Sequence, residues 1–197
     1  MKKSVVLLFL FFISVASAQR FDVLSGKVSN LKGIAAYNVT FDYTNLKVDG
    51  FETEEAYLAD KMDKRKEVEG ESEKFRKDWY KDRENKYEPK FMEYFNKRFE
   101  KGEIKCEKNS DLQYTMSIKT TWIYPGYSVV AAAQPAKISA VITIVETANP
   151  KNILVEMEFD KSIGLAQGTF EFDQGDRIAG AYEKLAKNMV MQLKRFL

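Results

Sequence analysis

Residues 136–160 read AKISAVITIVETANPKNILVEMEFD, and this stretch decides the fold. Its first part, 136–146, is apolar on both faces, as in a strand at the centre of a sheet. Asn149, Pro150, Lys151 and Asn152 supply turn chemistry. After the turn, Ile153, Val155, Met157 and Phe159 alternate with Glu156, Glu158 and Asp160, so one face is buried and the other wet. A slip of one residue would put the carboxylates into the core, which fixes the register of the hairpin.

Upstream, Leu112, Tyr114, Met116, Ile118 and Trp122 alternate with Gln113, Thr115, Ser117 and Lys119, giving a third strand. A fourth lies over residues 33–43, where Tyr37, Val39, Phe41 and Tyr43 alternate with Asn38, Thr40 and Asp42. Between it and the others runs a charged helical segment at about 53–101. Thr53-Glu54-Glu55 caps its start, Gly70 divides it, Pro89 kinks or restarts it and Gly102 ends it. From Asp60 to Lys90, 21 of 31 residues are charged, 11 basic and 10 acidic. Pairs such as Glu73 with Lys77 and Asp82 with Lys86 mark a solvated face. Phe75, Trp79, Tyr87, Phe91, Tyr94, Phe95 and Phe99 form an apolar stripe that reads as core. The last element is an amphipathic helix of about five turns, carried by Ile178, Tyr182, Leu185, Met189, Leu193 and Phe196. Asp173 or Asp176 caps it, and Lys194-Arg195 suit the negative end of its dipole.

The expected fold is therefore α+β, a mostly antiparallel four-stranded sheet with helices packed on one face, in the order β-α-α-β-β-β-α. The strand at 114–122, the hairpin strands at 138–145 and 153–159 and the helix from Arg177 carry a resemblance of layout. It resembles the exported α+β domain at the amino terminus of the Tol-system propeller protein, and outer-membrane accessory lipoproteins such as the lipopolysaccharide-transport plug. WIYPGY (122–127), the stretch from 136 to 150 and the last helix are also similar to uncharacterised exported Bacteroidetes-type proteins. These resemblances imply work in the cell envelope and no particular activity. The segment at 53–101 is longer than that layout uses, and no lipid-anchor cysteine stands at the expected cleavage point.

Lys2 and Lys3, an apolar run at 5–15 and Ala16-Ser17-Ala18 read as a signal peptide over residues 1–18. Residues 19–197 then form a single domain. Loss of Lys2 and Lys3 brings the 31 basic residues to 29, equal to the 29 acidic ones. That balance argues against a nucleic-acid partner and against a polybasic membrane-surface binder. No mature stretch is long and apolar enough for a transmembrane segment. The absence of histidine removes the commonest general base and metal ligand. The single cysteine, Cys106, reads as an inert, partly buried side chain. No cofactor or metal motif is present; Asp173, Gly175 and Asp176 do not match a calcium loop.

The row Glu156, Glu158 and Asp160 has a spacing that could serve a general acid and base, but it reads as the wet face of a strand. The segment 124–136, YPGYSVVAAAQPA, is the stronger candidate. It is too long and apolar for a plain hairpin loop, and if exposed it is a contact surface. Otherwise residues 128–133 continue a strand or fold over the sheet edge. Tyr124, Tyr127, Val129 and Val130 are its candidate partner-binding residues. The expectation is a noncatalytic exported protein, periplasmic or extracellular, that binds an envelope protein or complex. A carrier of a small apolar ligand is the alternative, and a carboxylate-dependent hydrolase a lesser one.

Overall fold

A computed structural model describes residues 21–99, 101–108, 111–129, 132–164 and 171–196; the expected signal peptide lies outside them. In chain order the elements are β1 (Phe21–Gly26), β2 (Ala36–Asp42), β3 (Lys47–Val48), α1 (Glu54–Asp63) and α2 (Glu71–Asp82). A π-helical turn (Arg83–Tyr87) leads directly into α3 (Glu88–Lys97). Then follow β4 (Lys105–Glu107), β5 (Tyr114–Tyr124), β6 (Tyr127–Val129), β7 (Ala132–Gln134), β8 (Lys137–Glu146), β9 (Asn149–Ile163) and α4 (Gln174–Leu193).

The class is α+β and the sheet is mostly antiparallel, but it has seven strands rather than four and includes parallel pairs. Seven strands build one mixed sheet in the order β1-β9-β8-β5-β2-β4, with β3 also against β5. The pairs β1–β9, β9–β8 and β8–β5 are antiparallel, whereas β2 runs parallel to both β4 and β5, and β3 parallel to β5. The helical segment is the physical reason. It carries the chain back along the sheet after β2 and β3, so the next strands start from the same end, as in any crossover between parallel strands. The β8–β9 turn is also tighter than its sequence suggests: Glu146 pairs with Asn149, leaving Thr147 and Ala148 at the corner, and bulges beside Val145 absorb the shift.

One face of the sheet is dry. Cross-strand rows run Val39–Met116–Ile144–Val155 and Phe41–Ile118–Ile142–Met157. Against them pack Ile178, Tyr182, Leu185 and Met189 of α4 and Phe91 and Phe95 of α3, all buried. Phe41 meets Phe91 edge-on at 5.9 Å, and Tyr182 stacks on Tyr87 at 5.3 Å. The other face, with Ser117, Lys119, Thr143, Glu156 and Glu158, stays partly exposed.

The helical boundaries follow their caps. Thr53 Oγ1 accepts from the Ala56 amide, Gly70 adopts φ +79 before α2, and Asp173 accepts from the Asp176 amide before α4. Pro89 sits in the first turn of α3 behind the π-helical turn. At about 100° per residue, the twelve steps from Trp79 to Phe91 would leave those rings about 120° apart on a regular α-helix. The wider turn absorbs one residue and brings both to the core side.

Candidate partner-binding site

The 124–136 segment forms a short hairpin that leaves the main sheet. The β5–β8 ladder ends at the pair Tyr124–Lys137, and a separate ladder then pairs Tyr127 with Gln134, Ser128 with Ala133 and Val129 with Ala132. Pro125 and Pro135 interrupt the ladder because neither has an amide proton to donate. Gly126 makes the bend at φ +65, and a Cβ there would stand 2.4 Å from the Gln134 carbonyl oxygen, so no other residue fits.

Tyr127 is 40 % exposed and Val129 52 %. Two apart on β6, they share one face of the arm. Val130 lies outside the described residues. Tyr124 is half-buried: its hydroxyl donates to Gln134 Oε1 at 3.0 Å and its ring stacks on Trp122 at 6.4 Å. It braces the root of the arm.

Arg177, in the first turn of α4, is the residue that sequence patterns do not single out. Its Nε donates to the Pro125 carbonyl at 3.2 Å, and Nη1 donates to the carbonyls of Glu171 at 3.0 Å and Phe172 at 2.8 Å. One guanidinium thus ties the arm and the lead-in to α4 together. Partial burial draws its pKa down, while Asp173 and Glu171 oppose that. Phe172 is 64 % exposed beside it. Nothing in the local sequence of Arg177 signals this task, because all three acceptors are main-chain atoms.

Other sequence candidates are dispersed. Glu156 accepts from Thr143 Oγ1 at 3.1 Å and Asp160 from Ser139 Oγ at 2.9 Å, on the open sheet face. Asp173 and Asp176 bind Lys86 at 2.7 Å and 3.2 Å, with Asp82 at 3.6 Å. Those carboxylates hold the Lys86 ammonium firmly charged against its partial burial. Among the described residues no group of three metal-ligating side chains converges. Cys106 is buried; desolvation pushes its thiol up to about 12, and Asn96 engages its amide and carbonyl at 2.8 Å and 2.9 Å.

Three surface pockets, of about 170, 240 and 310 Å³, are lined mostly by charged and polar side chains. The 310 Å³ pocket borders Tyr43, Thr53 and Glu54. Glu54 is 6 % exposed and accepts from Trp79 Nε1 and the Arg83 guanidinium, which lies 4.3 Å from the Tyr43 ring and 4.8 Å from that of Tyr80. No described helix is long and apolar enough to cross a membrane. No protein-family model, curated protein or solved structure matches the chain.

Proposed function

We propose that this is a noncatalytic exported binding protein, an accessory or scaffold of the bacterial cell envelope that holds a protein partner on the β6–β7 arm. The observation that carries the reading is the arm itself, an apolar Tyr127–Val129 face held clear of the sheet by Pro125, Gly126 and Arg177. An exposed tyrosine of this kind suits the centre of a small interface, and Val129 adds apolar area beside it. Export and the envelope setting rest on the signal-like residues 1–18 and on the resemblance of layout. A carrier would need an apolar lining and a hydrolase a sheltered carboxylate. The open setting of Glu156, Glu158 and Asp160 lends the hydrolase reading less support.

The test is crosslinking from a photoreactive residue at position 132, across the ladder from Val129, in envelopes of the source cell. One crosslinked protein is expected, lost when Tyr127 and Val129 are both changed to serine. Because both side chains are exposed, that double variant should keep its thermal stability within about 0.5 kcal/mol per site. A crosslink that survives the double substitution would overturn the assignment of the arm.

A further inference from the structure

The first turn of α4, which carries Arg177, is seated on a clasp of charges. Lys86, in the π-helical turn, reaches Asp173 at 2.7 Å and Asp176 at 3.2 Å, with Asp82 of α2 at 3.6 Å. Gly175 lies against the same group, and a Cβ there would run into the Asp82 carboxylate. Asp173 holds this turn together in three ways. Its carboxylate caps the helix and takes the Lys86 ammonium, and its carbonyl accepts the Arg177 amide at 3.2 Å. The Arg177 guanidinium in turn holds the Pro125 carbonyl at the root of the arm. Contacts therefore run without a gap from Lys86 through Asp173 and Arg177 to the arm.

The clasp carries too much negative charge. Asp82, Asp173 and Asp176 share one ammonium, and Asp78 on α2 adds its field to that of the others at Asp82. The cations beside the same hollow are engaged elsewhere: Arg65 lies 4.2 Å from the Phe75 ring, and Lys74 faces Glu71 at 3.7 Å. A proton on Asp82 would relieve the excess and leave both contacts from Lys86 to α4 in place.

We propose that the Asp82–Lys86 clasp is an acid-responsive fastening for the arm, in which proton uptake at Asp82 draws the start of α4, and Arg177 with it, more firmly into place. The inference rests on the arm as the binding element and adds its regulation. Burial raises the pKa of Asp82, with help from Asp173, Asp78 and Asp176 and against the pull of Lys86. At Asp173 burial is outweighed by the bonds from Lys86 and the Asp176 amide, and the pKa is lowered. As pH falls, Asp82 takes its proton first and the clasp tightens. Stronger acid then neutralises Asp173, and the cap and the Lys86 pair fail together. The arm is held best in the window between the two.

A nitroxide spin label on Ala132→Cys reads the motion of the arm on the nanosecond scale, with Cys106 buried and out of reach. The mobile fraction should fall about two- to fivefold from neutral to mildly acid pH, and rise again in stronger acid. Asp82→Asn should hold the low mobility at neutral pH. Lys86→Met should leave the label mobile throughout, with Lys86→Arg restoring the natural profile, and Arg177→Gln should abolish the response. Should Lys86→Met fail to fold, the natural chain and Asp82→Asn decide the matter between them. A profile without a minimum, or one that Asp82→Asn or Arg177→Gln leaves unchanged, would overturn the proposal. No partner takes part in this measurement, so its failure is distinct from failure of the crosslink.

Discussion

Glu54 opens α1 with its carboxylate away from water, accepting from the Trp79 indole and from the Arg83 guanidinium. A charge at that depth is tolerated because both donors are in place, and removing one partner strands the other. Glu54→Ala should therefore lower stability by about 3 kcal/mol, and Glu54→Gln by less, since the indole keeps an acceptor. Denaturant unfolding reads both; a loss below about 1 kcal/mol for the alanine variant would mean that the Tyr43 and Tyr80 rings hold Arg83 unaided. The sequence showed Thr53 and the two glutamates after it as a capping signal, and the cap is there. It did not show that Glu54 and Glu88 leave the charged surface. Both are fixed by partners 20 or more residues away: Trp79 and Arg83 for Glu54, Lys108 for Glu88. Local charge pairing was closer to the mark. Asp82 pairs with Lys86, while Glu73 takes Arg76, one position nearer than Lys77.

The helix from α2 to α3 makes the same point for elements. Its aromatic stripe was legible, and Trp79, Tyr87, Phe91 and Phe95 are all core. The π-helical turn was not, because only the need to face one core on both sides of Pro89 reveals the extra residue. Deleting the exposed Asn85 should convert that turn into regular α-helix with both aromatic faces still in register. We expect the deletion to cost less than about 1 kcal/mol, whereas inserting an alanine at the same place should cost several, because it turns Phe91 and Phe95 out of the core. Thermal melting of the two variants separates the cases. In the 124–136 segment, residues 127–129 and 132–134 are strand, and Tyr127 and Val129 are exposed. The prolines and glycine marked its limits, but the posture of the arm depends on Arg177, 52 residues away from Pro125.

Across the whole molecule the sheet was half legible. Alternation identified β2, β5 and β9, and a run apolar on both faces identified β8. β3 and β4, two and three residues long, carry too few for a period to show, and the six residues of β1 do not alternate; all three pair along edges that longer neighbours offer. The assembled core also sets an alkaline limit. Burial raises the pKa of Tyr37, Tyr43, Tyr57, Tyr87 and Tyr182, that of Tyr57 to about 12. Unfolded phenols lose their protons near pH 10. Above that pH the folded chain binds more protons than the unfolded one, so stability is complete below about pH 10 and falls as pH rises through the folded values. Phenolate absorbance and far-ultraviolet circular dichroism, followed together, should show these five tyrosines ionising only as structure is lost. Ionisation of more than half of the ten tyrosines with the helices intact would contradict the burial assigned to these five. The grip of Arg177 has one more consequence. It reaches the arm through one main-chain oxygen, the Pro125 carbonyl, so the side chains of β6 and β7 can change from lineage to lineage without altering that bond. Side chains along β6 and β7 could therefore be exchanged for others while the mount stays as it is.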